Sequence, residues 1–364
     1  MANMNVGVPR FYPDMISYLL SRGVTQDGNF DVTATHAGNT FMGTFTTGSE
    51  PELFDGKPLN KCTFDTSADT DAHVLITIDT QSATSKKSFI AILNHNLASS
   101  VGKIRIFAGD ENTDHTAIDG ANADTSDIDW SDITITEVVN AEYITTGTDD
   151  KSNVIAPDSD GTTIITFSEQ TLRYWGIQFE GATSGTGNAV DKLWGSTDLF
   201  VGCIMIGEVF EMPHAPDLAV KRSISFEGMN KIQQSIGGQR YSNSSGFGRT
   251  VSSTTKSPFS TAPAMNNIFG GRIIYDLNFS YVNATDLMPN EYDIINTAQD
   301  DVIEDIWNKT NGNHLPFLFS CDKDSIGNDA ESEHIFARFG QDSLDMTQVA
   351  NGVWNLSMRI EEEF

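Results

Sequence analysis

The sequence predicts a mainly β protein, with an antiparallel jelly-roll or β-sandwich domain and a smaller α+β C-terminal domain that has one helix on an antiparallel sheet. Three observations lead to this fold class. Apolar and β-branched residues recur in short runs, turn-forming residues rather than helices separate the runs, and only two stretches have helical spacing. Short strands joined in this way are typical of sandwiches and jelly rolls.

The first helical stretch covers residues 14–22. Asp14 follows Pro13 in the position of an N-cap, and Gly23 is placed to end the helix. Beyond this helix the pattern changes to the two-residue period of strands. It predicts the strands of the sandwich at residues 74–78, 88–93, 103–107, 162–167, 174–179 and 199–210.

The last hundred residues form a second unit with a different pattern. A helix is predicted over residues 289–308, where Val302 and Ile306 belong to an apolar stripe and Gly312 follows as a stop. Strands are predicted on both sides of it, at residues 272–279, 315–319, 334–339 and 353–360. One helix against an antiparallel sheet is an α+β arrangement.

Composition divides the chain into four parts: an N-terminal segment with a short helix (1–59), the sandwich (60–213), an extended arm or linker (214–263) and the α+β unit (264–364). The arm is rich in Gly, Ser and Thr and has too little apolar surface to fold alone. We expect it to lie over a neighbouring subunit and to add backbone hydrogen bonds there. Acidic surface loops are predicted at residues 110–132 and 149–161.

The chain is strongly acidic, with 22 basic and 50 acidic residues and a net charge of −28. Binding to nucleic acid depends on basic residues that displace counterions, so we exclude nucleic acid as a partner. Two explanations of the acidity stay open. One is adaptation to a salty medium, where charges are screened over roughly 8 Å or less, and the other is ordinary acidic surface loops.

The three cysteines, Cys62, Cys203 and Cys321, are far apart and have apolar neighbours. This pattern predicts buried thiols and supports neither a disulfide framework nor a zinc site. Residues 1–10 lack the apolar run of a signal peptide, and no stretch reaches the roughly 18 apolar residues of a membrane span. We therefore expect a soluble protein without membrane insertion, made in a reducing cytoplasm.

No motif predicts a catalytic, cofactor-binding or metal site, because P-loop, GxGxxG, HExxH and GxSxG patterns are missing. Asp158 to Gly161 (Asp-Ser-Asp-Gly) is a fragment of a calcium loop without its closing Glu, so a solvated loop is the favoured interpretation. His95 ends an apolar strand. We expect it, with Asn94 and Asn96, to bond to the backbone and fix the following turn rather than to bind a ligand.

Four aromatic residues are candidates for stacking on sugars: Trp130, Tyr174, Trp175 and Trp194. Aromatic rings on sandwich folds more often belong to the core or to an interface, and that is the favoured interpretation here.

The order of motifs between residues 60 and 213 resembles a known family. An apolar strand ends in His95-Asn96-Leu97, a short Ser/Gly turn follows, and the strand at 103–107 comes next. Residues 173–177 and the sequence Ile-Gly-Glu-Val-Phe at 206–210 continue the pattern. This order resembles the discoidin-like jelly roll of many tailed-bacteriophage virion proteins, although the acidic excursion at 110–132 departs from the usual spacing.

The C-terminal unit is similar to the ring-forming domain of distal-tail and minor-tail proteins. The similarity lies in the predicted strand and helix, in Pro-Phe-Leu-Phe at 316–319 near Asp322, in residues 335–339, and in a last strand that closes with Glu361-Glu362. Residues 235–241 also look like their phage counterparts. The resemblance implies a place in the virion and self-assembly into a ring or shell, and it carries over no catalytic residue.

We therefore expect a non-enzymatic structural component of a bacteriophage virion, most simply a tail-tip or distal-tail protein that forms a homo-oligomer. Its expected partners are its own copies and neighbouring virion proteins, and no cofactor is expected. It would be assembled in the host cytoplasm and reside in the virion. The alternatives are a receptor adhesin that binds host surface glycans, a head-decorating or neck protein of the same particle, and a glycan-degrading enzyme.

Overall fold

The computed structural model describes residues 6–36, 39–68, 73–109, 133–144, 154–181, 183–184, 192–225, 232–242, 272–289, 300–324 and 333–363. The predicted fold class is confirmed: the protein is mainly β, its sheets are antiparallel, and its helical content is small.

The strands in chain order are β1 (Arg10–Pro13), β2 (Phe30–Val32), β3 (Thr35–His36), β4 (Asn39–Thr40), β5 (Phe45–Thr47), β6 (Cys62–Phe64), β7 (Val74–Asp79), β8 (Lys87–His95), β9 (Gly102–Gly109), β10 (Ile135–Val139), β11 (Ala141–Ile144), β12 (Val154–Pro157), β13 (Gly161–Gln170), β14 (Tyr174–Gly181), β15 (Thr183–Ser184), β16 (Lys192–Leu193), β17 (Leu199–Val201), β18 (Cys203–Gly207), β19 (Phe210–Glu211), β20 (Lys221–Ser225), β21 (Ile232–Gln234), β22 (Arg240–Ser242), β23 (Arg272–Asn283), β24 (Phe317–Ser320), β25 (His334–Phe339), β26 (Met346–Ala350) and β27 (Val353–Glu362). The helical elements are α1 (Met15–Ser21), a 3-10 helix (Glu50–Phe54), α2 (Ala284–Leu287) and a π-helical turn (Ile303–Asn308).

Two antiparallel sheets form the sandwich, with the strand orders β10-β13-β8-β18 and β11-β12-β9-β14-β7-β2. The consecutive strands β7, β8, β9 and β10 alternate between the two sheets. The layer between the sheets contains Ile90 and Ile92 of β8, Ile106 of β9 and Ile177 of β14, all fully buried. Alternate side chains of a strand face the same side, so the two-residue apolar period seen in the sequence places these residues in one core.

A third sheet has the order β19-β1-β24-β25-β27-β23-β20, with β26 also paired to β27. It combines strands from distant parts of the chain. Near the N-terminus β1 pairs with β24, with Phe11 opposite Phe319, and β19 pairs with the other side of β1. The local sequence pattern gave no sign of β1 or β19 as parts of this sheet.

Strand β8 lies in the middle layer of three stacked sheets. Phe89, Ala91 and Leu93 point away from the sandwich core and share a hydrophobic cluster with Leu318 of β24 and Phe336 of β25. The sandwich and the eight-stranded sheet are therefore joined by a hydrophobic layer. This layer explains why β8 reads as a nearly continuous apolar run, since both of its faces are buried.

Helix α1 begins where the sequence predicted. The carboxylate of Asp14 accepts hydrogen bonds from the backbone N–H groups of Ile16 (3.2 Å) and Ser17 (2.9 Å), so it is the N-cap. It also accepts one from the N–H of Ile206 in β18, at 3.3 Å. One buried side chain therefore caps a helix and ties it to the sandwich.

The prediction of one strand over residues 199–210 is wrong. Three short strands occupy this range, and β17 joins a separate sheet of order β17-β6-β5 while β18 joins the sandwich. The break falls at Gly202, where a Cβ atom would lie 2.1 Å from the carbonyl oxygen of Pro58. Only glycine allows this close backbone approach.

The predicted helix at 289–308 is only partly correct. Pro289, Asp300 and Asp301 are not helical, helical structure runs from Val302 through the π-helical turn, and residues 290–299 lie outside the described part of the chain. Asp301 accepts a hydrogen bond from the N–H of Glu304 (2.9 Å), and its own N–H donates to the carboxylate of Asp305 (2.9 Å). These bonds begin the helical turn at this point.

All three cysteines are buried and unpaired, as the sequence predicted. Burial raises the pKa of the Cys62 and Cys321 thiols to about 12. In the residues covered by the structure, no helix has the length and apolar character needed to cross a bilayer.

Candidate functional site

A cleft of about 370 Å³ opens beside strand β19, where the sandwich and the eight-stranded sheet meet. Strands β8, β13 and β19, helix α2 and the segments next to them contribute to its walls. Five of its nine lining residues are carboxylates. The lining residues are Ser88, Glu169, Glu208, Val209, Phe210, Glu211, Pro213, Asp286 and Asp300.

Two lysines hold the walls of the cleft together. The Nζ atom of Lys86 lies 2.8 Å from a carboxylate oxygen of Asp300 and 3.2 Å from one of Glu169. Lys309 is the C-cap residue of the π-helical turn, and its Nζ atom lies 2.9 Å from Glu208 and 2.7 Å from Asp305. The ion pairs thus connect the sandwich to the C-terminal unit.

The carboxylates around the two lysines raise the pKa values of both side chains. Burial alone would lower the pKa of Lys309, but the charges of Glu208 and Asp305 outweigh burial and raise it. The pKa of Lys86 is raised for the same reason, against the effect of burial, by its hydrogen bond to Asp300 and the charge of Glu208. Both lysines therefore stay charged at neutral pH.

Glu208 lies at the centre of this network. Burial raises its pKa, and the charge of Lys309 opposes that effect only in part. Since carboxylates outnumber the lysines around the cleft, we expect its potential to be negative and to favour cationic groups.

Further acidic side chains are buried in the π-helical turn next to the cleft and just before it. Glu304 is fully buried, and neither of its carboxylate oxygens has a hydrogen-bond partner within the described residues. Burial also raises the pKa of Asp301 to about 6. Buried groups without partners destabilise a fold by about 1–3 kcal/mol each, and π-helical turns frequently occur at functional sites.

This chemistry suits the binding of positively charged groups. Within the described ranges, no three His, Cys, Asp or Glu side chains are arranged to hold a metal ion. Glu208 and Asp300 already form ion pairs with lysines. Their main roles are therefore to make the cleft negative and to hold its walls together.

His95 has the structural position that the sequence predicted. Its ring is buried, its Nδ1 accepts a hydrogen bond from the N–H of Leu97 (3.2 Å), and its Nε2 therefore donates to the hydroxyl of Thr163 (2.9 Å). Burial lowers the pKa of His95 to about 3, so the ring is neutral. Asn94 and Asn96 also bond to the backbone, donating to the carbonyl groups of Pro58 (2.7 Å) and Asp198 (2.8 Å).

The calcium-like fragment serves the fold. The carboxylate of Asp160 accepts hydrogen bonds from the N–H (2.8 Å) and the hydroxyl of Ser99. Ser159 donates to the side-chain carbonyl of Asn140 (2.7 Å). The predicted acidic loop at 110–132 and residues 149–153 lie outside the described residues.

Two of the four aromatic candidates are core residues. Trp175 is fully buried and donates its indole N–H to the carbonyl group of Leu172 at 2.9 Å, and Trp194 is 3% exposed. Tyr174 is half-buried beneath the guanidinium group of Arg173. Trp130 lies outside the described residues. Burial removes Trp175 and Trp194 as platforms for sugars.

The sequence pattern does not predict this cleft, because Lys309 and Glu208 are 101 residues apart. One signal was available: Glu208 interrupts the apolar residues between Val201 and Phe210, and a buried carboxylate usually has a cationic partner. The identity of that partner cannot be read from local sequence.

Comparisons with protein-family models, with curated proteins and with solved structures found no match. The function is therefore argued from the sequence pattern, the fold and the surfaces of the chain itself.

Proposed function

We propose that this protein is a structural component of a bacteriophage virion, and that it forms an oligomer in the tail, at the tail tip or distal tail. The order of sequence motifs supports a phage origin. The three-layer stack supports a structural role, because it joins the sandwich to the C-terminal sheet through a shared hydrophobic layer.

One observation carries the proposal that the chain assembles. Strands β21 and β22 form a hairpin whose strands pair only with each other in the described part of the chain. Ile236, at its tip, is fully exposed, and Tyr241 is 56% exposed. An isolated two-stranded hairpin is at best marginally stable in water, so a partner surface is needed to hold it.

The turn of this hairpin is nevertheless well formed. The N–H of Gly238 donates to the carbonyl group of Ser235 (2.9 Å), and Gly238 has a φ of 82°. The N–H of Ser235 donates to the carbonyl group of Gln239 at 2.8 Å. A defined hairpin that exposes apolar side chains is suited to contact another subunit.

The alternative of a glycan-binding adhesin is less well supported. Its sugar platforms would have been exposed aromatic rings, and Trp175 and Trp194 are buried. A head-decorating or neck protein would have the same need for subunit contacts and differs only in its place in the particle.

Mass photometry of the purified chain and immunogold electron microscopy of the particles test the proposal. We expect discrete oligomers, and gold label at the tail end with an antibody against residues 60–213. Label on the capsid would overturn the tail assignment in favour of head decoration. A strictly monomeric chain that is missing from particles would overturn the whole proposal.

A further inference from the structure

The basic residues of this acidic chain are concentrated in one region. Residues 221–272 contain seven of the 22 basic residues and only one of the 50 acidic residues, Glu227. This region is thus positive within a chain whose net charge is −28. Opposite charge on two parts of one chain allows two copies to attract each other locally despite their overall repulsion.

The structure places the start of this region at one edge of the eight-stranded sheet. Among the described residues, strand β20 is the last strand in the sheet order and pairs with β23 alone. Lys221 is 70% exposed although it lies 3.3 Å from Asp276, and Ile224 of the same strand is 55% exposed. An edge strand presents unpaired backbone groups to an incoming chain.

Arg222, the neighbour of Lys221 in β20, is exposed as well. Strand β20 therefore combines two exposed basic side chains with the exposed apolar side chain of Ile224. We call β20 the basic edge.

The opposite edge of the same sheet is acidic. Strand β19 is the first strand in the sheet order, and the carboxylate-lined cleft opens beside it. Two of the cleft's carboxylates are well exposed, Asp300 at 67% and Glu169 at 52%. We call β19 and the cleft the acidic edge.

We propose, building on the oligomeric virion role above, that the basic edge of one copy docks against the acidic edge of the next copy. Two basic edges repel each other, and so do two acidic edges, which disfavours a symmetric pairing of like edges. A contact between unlike edges is heterologous, and it closes into a ring when the rotation between copies allows closure. Charge therefore sets the direction of assembly.

Salt dependence provides the first test, using the full-length chain. We expect oligomers to dissociate as salt rises from about 0.1 M to about 1 M, because the screening length falls from about 10 Å to about 3 Å. The double variant Lys221→Glu/Arg222→Glu should weaken association by about tenfold or more at low salt. The matched control Arg22→Glu/Lys57→Glu makes the same change in net charge at other exposed sites and should weaken it much less.

Mixing two charge-reversed variants gives the decisive test. The double variant Glu169→Lys/Asp300→Lys reverses the acidic edge, so neither it nor the reversed basic edge should assemble alone. An equimolar mixture should assemble, because each reversed edge then meets an edge of opposite charge. Circular dichroism and thermal melting check that both variants fold. If the lysine variant does not fold, Glu169→Gln/Asp300→Asn replaces it and should weaken assembly without reversing it.

The outcomes separate this inference from the proposed function. If the wild-type chain forms oligomers that ignore salt and both charge reversals, the edge contact is wrong while the virion role stands. If the mixture fails to assemble although both variants fold, the pairing of these two edges is wrong. If the wild-type chain is monomeric under all conditions, the contact and the oligomeric role both fail.

Discussion

Replacing Asp14 by Asn should remove a loss of stability that the wild-type chain suffers as the pH rises. The Asp14 side chain is buried, and burial raises its pKa from 3.8 to about 6, although hydrogen bonds from Ser17, Ile206 and Ile16 act in the opposite direction. Asn keeps one oxygen acceptor for these N–H groups and has no charge to bury.

The sign of the effect follows from proton binding. Between 3.8 and about 6 the folded chain holds a proton on Asp14 that the unfolded chain has lost. Stability therefore falls as the pH rises through this window, and the full cost is present above it. A shift of this size, at about 1.4 kcal/mol per pH unit, corresponds to about 3 kcal/mol.

Urea denaturation of both proteins at a series of pH values measures the effect. The difference in unfolding free energy, Asp14→Asn minus wild type, should increase by up to about 3 kcal/mol between the acid and the neutral end of the series. Using the difference cancels the contributions of the other titrating groups. Parallel stability curves for the two proteins would refute the reasoning.

A second substitution separates the capping bonds from the charge. Asp14→Ala removes all three acceptor contacts and should lower stability by about 1–3 kcal/mol relative to Asp14→Asn, because buried N–H groups lose their partner. The matched control is Asn283→Ala. Asn283 is the N-cap residue of α2 but makes no capping bond with its side chain, so the change should stay within about 0.5 kcal/mol.

Three further outcomes follow from the buried contacts. Lys309→Met removes a cation shared by two carboxylates and should lower the free energy of unfolding in urea by about 3–5 kcal/mol. The control is Lys57→Met at an exposed site, and an equally small effect of both changes would contradict the ion network. Leu318→Ala should lower the free energy of unfolding by about 2–5 kcal/mol because it leaves a cavity in the hydrophobic layer between the two units. Ile224 is 55% exposed, so Ile224→Ala should have little effect. Equal effects of the two changes would argue against the three-layer stack. The ring of His95 should not titrate in NMR spectra between about pH 5 and 8, since its pKa is about 3, and a midpoint near the usual value of about 6.5 would show that the ring is solvated.

The sequence did not predict the candidate site, because its residues are far apart along the chain. Its cleft forms where Glu208 of the sandwich region meets Lys309 and Asp300 of the C-terminal unit. No period or motif connects residues so far apart. Trp175, one of the candidate sugar platforms, is a core residue, as the favoured interpretation expected.

Local chemistry determined much of the fold. The two-residue apolar period specified strands such as β7, β8 and β9 to within a few residues, and Asp14 marked the start of α1, because these features depend on neighbours in the chain. The structural role of His95 was readable for the same reason, since its bond to Leu97 spans two residues.

Long-range pairing decided the rest. The sequence alone determined that the chain is mainly β and where its longest strands lie. Only the tertiary structure decided that β1 and β19 extend the eight-stranded sheet, that β8 is buried on both faces, and that an acidic cleft opens at one edge of that sheet while a basic strand forms the other. The physical reason is that strand pairing and ion pairing join residues by their position in space, and such partners leave no local signal in the sequence.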